Sequence, residues 1–394
     1  MRYSLLIAGA LLSLTSTGKP NTVAAADPQD HELANAAAVF AQKQQSAGIA
    51  LADEIWNLAE LGYLEYRSSG ALQRYLSEND FQVETGAGGI PTAFVASYRS
   101  SGADESDPVI AILAEFDALP GLNQAATPFR SAAQEGGAGH ACGHHLFGAA
   151  SSTAAVALSK WLQANGVQAT IKLVGTPAEE GGSGKVYLAR AGVFDEVDVV
   201  LHWHPGDGNS ASPSSTTSNK SGRFTFTGRA AHAASAPDRG RSALDGVEAM
   251  NYMVNLMREH VPQTARLHYV ITDGGDAPNI VPENAQVYYY VRHPDRDQVV
   301  ELFKRVVRAA KAAAMGTDTQ VDVEVMHGNY PVLPNHTLAR LVNDNLVAMG
   351  GIEYNADEQA FAQAIRKTLI SPRRELGSEP VSYTHLTLPT KVRV

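Results

Sequence analysis

The chain alternates between stretches with apolar residues at helical spacing and short runs that are apolar throughout. Leu33, Ala36, Ala37 and Phe40, then Ile49, Leu51, Ile55, Leu58 and Leu61, predict helix over 32–62. A short helix over 72–76 stops before Asn79-Asp80. From Phe81 to Tyr98 apolar and polar residues alternate about the turn Gly86-Ala87-Gly88-Gly89, which predicts strands around it. Val109 to Ala114 is apolar at every position, as in a parallel strand covered on both faces. Helix is expected from about Leu146 to Asn165, strand over Ala169 to Val174, helix near Gly184 to Ala191, and a third buried strand over Val197 to Leu201. This alternation predicts an α/β sheet with right-handed crossovers.

Asn209 to Ser221 is rich in Ser, Thr and Asn and reads as a linker. Beyond it, strands are expected over 223–227, 266–272, 285–291 and 321–326, with helices over 243–259 and 297–315. A β-α-β-β-α-β order describes a small ferredoxin-like α+β domain. Pro331 to Pro334 then turns the chain into a helix over 337–349. The expected organisation is an α/β domain, 30–218 and 334–380, interrupted by an inserted domain, 222–331.

Composition narrows the class. The 394 residues carry 41 acidic against 31 basic side chains, a net charge of −10, which argues against a nucleic-acid partner. No stretch after residue 30 approaches the roughly 20 apolar residues of a membrane span. The start reads as an export signal, 1–26: Arg2 is basic, Leu5 to Leu14 is apolar, and Val23-Ala24-Ala25-Ala26 offers a small-residue cleavage site. The expected location is therefore periplasmic or outside the cell, where one cysteine in the whole chain needs burial or a metal. Residues 381–394 show neither caps nor helical period; Val381-Ser382-Tyr383-Thr384-His385-Leu386 back-translates into sequencing-adapter DNA, so this tail is expected to be non-native, with native sequence ending near Pro380.

Four clusters carry candidate chemistry, and three directly follow the apolar strands, where open α/β sheets bind ligands. Glu115-Phe116-Asp117-Ala118-Leu119-Pro120 follows the first; alone, its acids read as solvated loop carboxylates. His140-Ala141-Cys142-Gly143-His144-His145 gathers three imidazoles and the one thiol in a glycine-rich loop, a ligand set for a borderline divalent ion or, alternatively, a Cys–His nucleophile. Thr176-Pro177-Ala178-Glu179-Glu180-Gly181-Gly182 sets two carboxylates side by side, and one of such a pair needs a cation or a proton. Gly184-Lys185 is not part of a phosphate loop. Leu201-His202-Trp203-His204-Pro205 adds one or two more nitrogen ligands. Together the clusters suit one or two divalent ions that activate water.

These stretches, with Gly228 to Pro237 and Pro278 to Asn284, resemble the aminoacylase-like co-catalytic metallopeptidases and amidohydrolases. Within them the likeness is to the branch of indole-acetyl-amino-acid and p-aminobenzoyl-glutamate hydrolases. The resemblance implies an α/β/α catalytic domain with an inserted ferredoxin-like dimerisation or lid domain. It implies Cys142, His144, Glu180 and His202 as metal ligands, Glu179 as general base and Asp117 as the acid that orients a ligand. It implies that His232 reaches a partner subunit's site, and that Asn279 and Arg292 bind substrate. Glu115 stands where other branches carry a ligating His, and its role, like that of His204, stays open. The family takes a further ligand near its C-terminus; here Gly377-Ser378 runs into the suspect tail, and His385 is not assigned to that role.

The expected activity is metal-dependent hydrolysis of the amide of an N-acyl or N-aroyl amino acid, or of a dipeptide. Two ions per subunit are expected, Mn²⁺ or Zn²⁺, with the resemblance favouring Mn²⁺. A homodimer or heterodimer would form through the inserted domain. A periplasmic metal- or solute-binding protein without turnover and a Cys–His nucleophilic hydrolase are the rivals.

Overall fold

The computed structural model describes residues 28–206, 208–211, 213–350 and 354–370, with side chains from residue 36. The expected export signal and non-native tail lie outside the described residues.

Helices α1 (Pro28–Lys43), α2 (Gln45–Leu58) and α3 (Tyr66–Ser77) come first. The apolar spacing predicts one helix over 32–62. The chain instead breaks at Gln44, and Ala59, at φ 43°, ends α2. Leu61 lies beyond the helix because it bridges Ala118, so its apolar side chain serves another contact. Strands β1 (Gln82–Thr85), β2 (Phe94–Arg99) and β3 (Val109–Ala114) precede α4 (His144–Asn165) and β4 (Thr170–Gly175). A helical turn α5 (Glu179–Gly182), helix α6 (Gly184–Arg190) and strand β5 (Val199–Leu201) follow.

These five strands form one mixed sheet in the order β1-β2-β4-β3-β5. Strand β3 runs parallel to β4 on one side and β5 on the other, so the chain reverses its winding direction at β3. Its residues feed two cores: Ile112 and Ala114 pack with Ile55, Leu72 and Leu173, while Ala111 and Leu113 pack with Phe147, Val174 and Leu188. A strand covered on both faces needs apolar residues at every position, as β3 has. Strand β5 departs from the expected burial: it lies on the sheet's edge and is only partly covered.

A second sheet follows: β6 (Ser218–Thr227), α7 (Ala243–Met257), β7 (Arg266–Asp273), β8 (Asn284–His293), α8 (Arg296–Gly316) and β9 (Gln320–Asn329). The order β7-β8-β6-β9, antiparallel throughout, is ferredoxin-like. The first four residues of β6 belong to the stretch that composition marks as linker. Their Ser and Asn side chains signal a loop, but their main chain pairs with β8 and β9 on both sides, and that pairing overrides composition.

Along β8, Ala285, Val287, Tyr289 and Val291 are buried in the core that α7 and α8 share with this sheet. Alternation sends Tyr288, Tyr290 and Arg292 to the opposite face. Helices α9 (His336–Met349) and α10 (Ala356–Thr368) end the described chain, with α9 packed on α1. Among the described residues, no helix is long and apolar enough to cross a membrane.

Candidate metal centre

The site forms past the C-terminal ends of β3, β4 and β5, where the winding direction reverses and open α/β sheets bind ligands. Phe116 is wholly buried, stacked near Phe94. Alternation then turns Glu115 and Asp117 away from that core, and both are buried at 2% and 1% exposure. Gly143 takes φ 80°, a conformation that suits glycine, and starts α4 with His144 as its first residue.

His144 is the hub. Its Nδ1 lies 3.0 Å from the Asp117 carbonyl oxygen and 3.1 Å from Asp117 Oδ1. Two acceptors on that nitrogen require it to carry a proton. In the neutral ring the Nε2 lone pair then points outward, 3.0 Å from Glu115 Oε2, and no hydrogen bond joins those two atoms. A lone pair facing a carboxylate at that range calls for a proton or a cation. Burial alone would push His144 down, but Asp117, the Cys142 sulfur and Glu115 outweigh it and hold the ring well above its usual range.

Glu115 accepts from Lys185 Nζ through Oε1, which also lies 3.2 Å from His202 Nε2. Burial would raise its pKa, but Lys185, His144 and His202 together hold it far below the usual carboxylate range. Asp117 Oδ2 accepts the Glu180 N–H at 2.9 Å, so one carboxylate orients His144 and anchors the loop after β4. Burial, then the adjacent Glu179, raises Glu180, and its Oε1 is buried without a hydrogen bond.

Cys142 Sγ lies 3.4 Å from His204 Nε2. The Pro205 carbonyl, 2.8 Å from His204 Nδ1, favours a proton there and leaves Nε2 facing the sulfur. Hydrogen bonding from His144 and then His204 lowers the thiol's pKa. Ligand atoms of Cys142, His144 and His204 lie within 4.8 Å of one another, as do those of Glu115, His144 and Glu179.

This donor set fits a divalent cation. Thiol, imidazole and carboxylate converge, buried atoms of His144, Glu115 and Glu180 lack hydrogen bonds, and Asp117 fixes the imidazole tautomer, as a carboxylate behind a ligating His does.

The structure gathers Cys142, His144, Glu180, Asp117 and Glu179, as the sequence suggested. His202 and His204 divide differently from the expectation: His204 faces the thiol, while His202 lies against Glu115. The exposed side chains of His232 and Asn279 stand apart in the inserted domain. His232 pairs with Ile280, its Nδ1 accepts the N–H groups of Ala234 and Ser235, and Asn279 O accepts from Ala233 N–H. Among the described residues no hydrogen bond or ion pair links them to the metal groups.

Arg292 lies on the β8 face opposite the helices, its guanidinium 5.2 Å from the Tyr290 ring centroid. That face meets the catalytic loop, for a Cβ on Gly181 would come within 3.0 Å of the Tyr290 hydroxyl. Sequence reasoning missed Lys185, Tyr290 and Glu65. The Gly184-Lys185 pair tests only for a phosphate loop, and no local pattern marks the other two.

Residues 111–370 match peptidase family M20/M25/M40. One of the two kinds of chain that make up the p-aminobenzoyl-glutamate hydrolase of Escherichia coli (strain K12) is 40% identical over 349 residues, 88% of this chain and 71% of that one. The Xaa-Arg dipeptidase of Mus musculus is 34% identical over 314 residues, 76% of this chain and 68% of that one. The crystal structure of an aminobenzoyl-glutamate utilization protein from Klebsiella pneumoniae matches the fold with a TM-score of 0.59 at 17% identity, covering 86% of this chain and 91% of that one. Fold and site define a hydrolase with a mixed α/β catalytic sheet. The chain belongs to peptidase family M20/M25/M40.

Proposed function

We propose that this protein hydrolyses the amide bond of an N-acyl or N-aroyl amino acid, or of a dipeptide, using divalent metal held by Cys142, His144, Glu180 and His202 or His204. The observation that carries this reading is the His144 Nε2 lone pair facing Glu115 and the Cys142 thiol inside a buried donor set. Bound there, a divalent ion supplies Lewis acidity and brings the pKa of water toward neutrality. Two ions per subunit fit the two groups that share His144, and Lys185 competes for Glu115 in one of them. A thiolate favours Zn²⁺, and the carboxylate and imidazole donors suit Mn²⁺.

The remaining roles belong to the chain's own side chains. Glu179 is exposed to the cleft and takes the proton of the water whose oxygen adds to the amide carbonyl carbon. It returns that proton to the leaving nitrogen as the C–N bond breaks. Asp117 holds His144 and Glu180 in place throughout. Arg292 pairs with the substrate's free carboxylate. His232 reaches the oxyanion in a partner subunit's site, across a dimer built on the inserted domain, either with a second copy or with a related chain. On the export-signal reading of 1–26, the reaction takes place in the periplasm or outside the cell.

The 3.4 Å contact between Cys142 and His204 favours one rival, with the thiolate as nucleophile. One experiment separates them. Metal-loaded and chelated protein are incubated with p-aminobenzoyl-glutamate, N-acetyl amino acids, indole-acetyl amino acids and dipeptides, and products are read by mass spectrometry. Chelator-sensitive release of a free amino acid is the expected result. Chelator-resistant turnover with an acyl adduct on Cys142 would replace this reading with the nucleophile, and bound metal without turnover on any substrate would leave a binding protein.

A further inference from the structure

Glu65 has no exposed surface, yet it is neither a metal donor nor part of an ion pair among the described residues. Its Oε1 accepts the N–H of Ala178 at 2.8 Å, and its Oε2 accepts the Thr92 hydroxyl at 3.0 Å. Ala178 immediately precedes the paired carboxylates. It is a non-glycine residue in the left-handed region, at φ 55° and ψ 45°, a conformation that L-residues disfavour. Its side chain is buried, and a Cβ on Gly62 would come within 3.0 Å of it, so the segment around Glu65 packs directly on this turn.

The same segment grips both carboxylate loops. Ala118 N–H, next to Asp117, donates to Glu60 O at 2.8 Å. The Tyr63 hydroxyl donates to Gly182 O at 2.6 Å, just past Glu180. The turn bearing Glu179 and Glu180 is thereby held at Ala178 and at Gly182, from one short stretch between α2 and α3.

We propose that Glu65 is a positioning residue for Glu179: by accepting the Ala178 N–H it holds that residue in its left-handed conformation and so aims the Glu179 carboxylate. The proposal rests on the reading of Glu179 as general base. A residue placed even 1 Å wrong can cost about 100-fold in rate.

The test is a double-mutant comparison in the metal-loaded full chain, with kcat, KM and bound metal measured on each variant. Glu65→Ala should lower kcat about 30-fold, with KM within about twofold and metal content unchanged. Glu65→Gln should stay within about threefold of wild type, because its amide oxygen still accepts from Ala178 and its NH₂ donates to Thr92. Glycine takes positive φ without cost, so in an Ala178→Gly background the Glu65→Ala change should cost about fivefold or less. Equal losses in the two backgrounds, or a Glu65→Gln loss as large as that of Glu65→Ala, would overturn the proposal. So would a Glu65→Ala variant that loses thermal stability but keeps full kcat per folded molecule. Glu65→Asp keeps the charge and shortens the reach by one methylene, and supplies the same comparison if the alanine variant does not fold. Glu179→Gln is the control: if it keeps near-normal turnover, the general-base reading fails; if it is inactive while Glu65→Ala is not, only the positioning role fails.

Discussion

Ser183 Oγ donates to Asn329 Oδ1 at 2.8 Å, joining the end of the Glu179 loop to the last residue of β9. With Tyr290 close over Gly181, this bond seats the inserted sheet on the catalytic loop. The half-buried bond is worth on the order of 1 kcal/mol. Asn329→Ala should therefore raise KM about fivefold, with a smaller change in kcat. Steady-state kinetics would check it, and an unchanged KM would mean that the two domains are seated by other contacts.

Loss of the proton carrier should be severe without disturbing the ligands. Glu179→Gln should cut kcat by more than about 100-fold while bound metal, read by elemental analysis, stays at the wild-type level. A variant that also loses its metal would mark Glu179 as a ligand, as its grouping with Glu115 and His144 allows.

Metal should stabilise the fold, because the donors are assembled only in the native state. Saturating Mn²⁺ or Zn²⁺ at about 100 times its Kd should add about 3 kcal/mol to unfolding. Chelation should reverse this. Cys142→Ser should bind Zn²⁺ more weakly, and the thiolate charge-transfer absorption of a Co²⁺-loaded sample should vanish with it. A Co²⁺ spectrum unaltered by Cys142→Ser would remove the sulfur from the coordination sphere.

Glu65 makes stability depend on pH. Burial chiefly, with Asp117 adding and hydrogen bonds from the backbone and Thr92 opposing, pushes it up to about 7 from an ordinary 4.5. A raised carboxyl pKa means that the folded state binds the proton more tightly. The stabilisation is complete below about pH 4.5 and is lost as pH rises to about 7, a span of about 3 kcal/mol. Glu65→Gln does not titrate and should show a flatter stability profile across that window. Urea denaturation of the metal-free protein at a series of pH values would measure it, and parallel profiles would count against the shift.

His232 is exposed and remote from its own chain's metal groups, so its role in catalysis depends on a second protomer. His232→Ala and Glu179→Gln should each be inactive alone. Mixed as an exchanging homodimer, they should recover on the order of a quarter of wild-type activity, because half the dimers contain one intact site. No recovery after protomer exchange would argue against a shared site in the homodimer.

Local signals along the chain were enough to set the order of elements and the neighbourhood of the chemistry. Apolar strands, glycine-opened helices and clustered His, Cys and Glu are all visible over a few residues. The both-faces burial of β3 and the loops after β3, β4 and β5 were legible for that reason. What each side chain does was left to the folded chain. His202 and His204 sit two residues apart in an irregular loop, and only contacts to Glu115, Cys142 and Pro205 separate their roles. The linker-like start of β6 became strand because partners on both sides satisfied its main chain. Glu65 looks like any charged residue ahead of a helix. It is a buried anchor because the fold carries Ala178, 113 residues away, to within hydrogen-bonding distance, and no local pattern encodes a pairing over that separation.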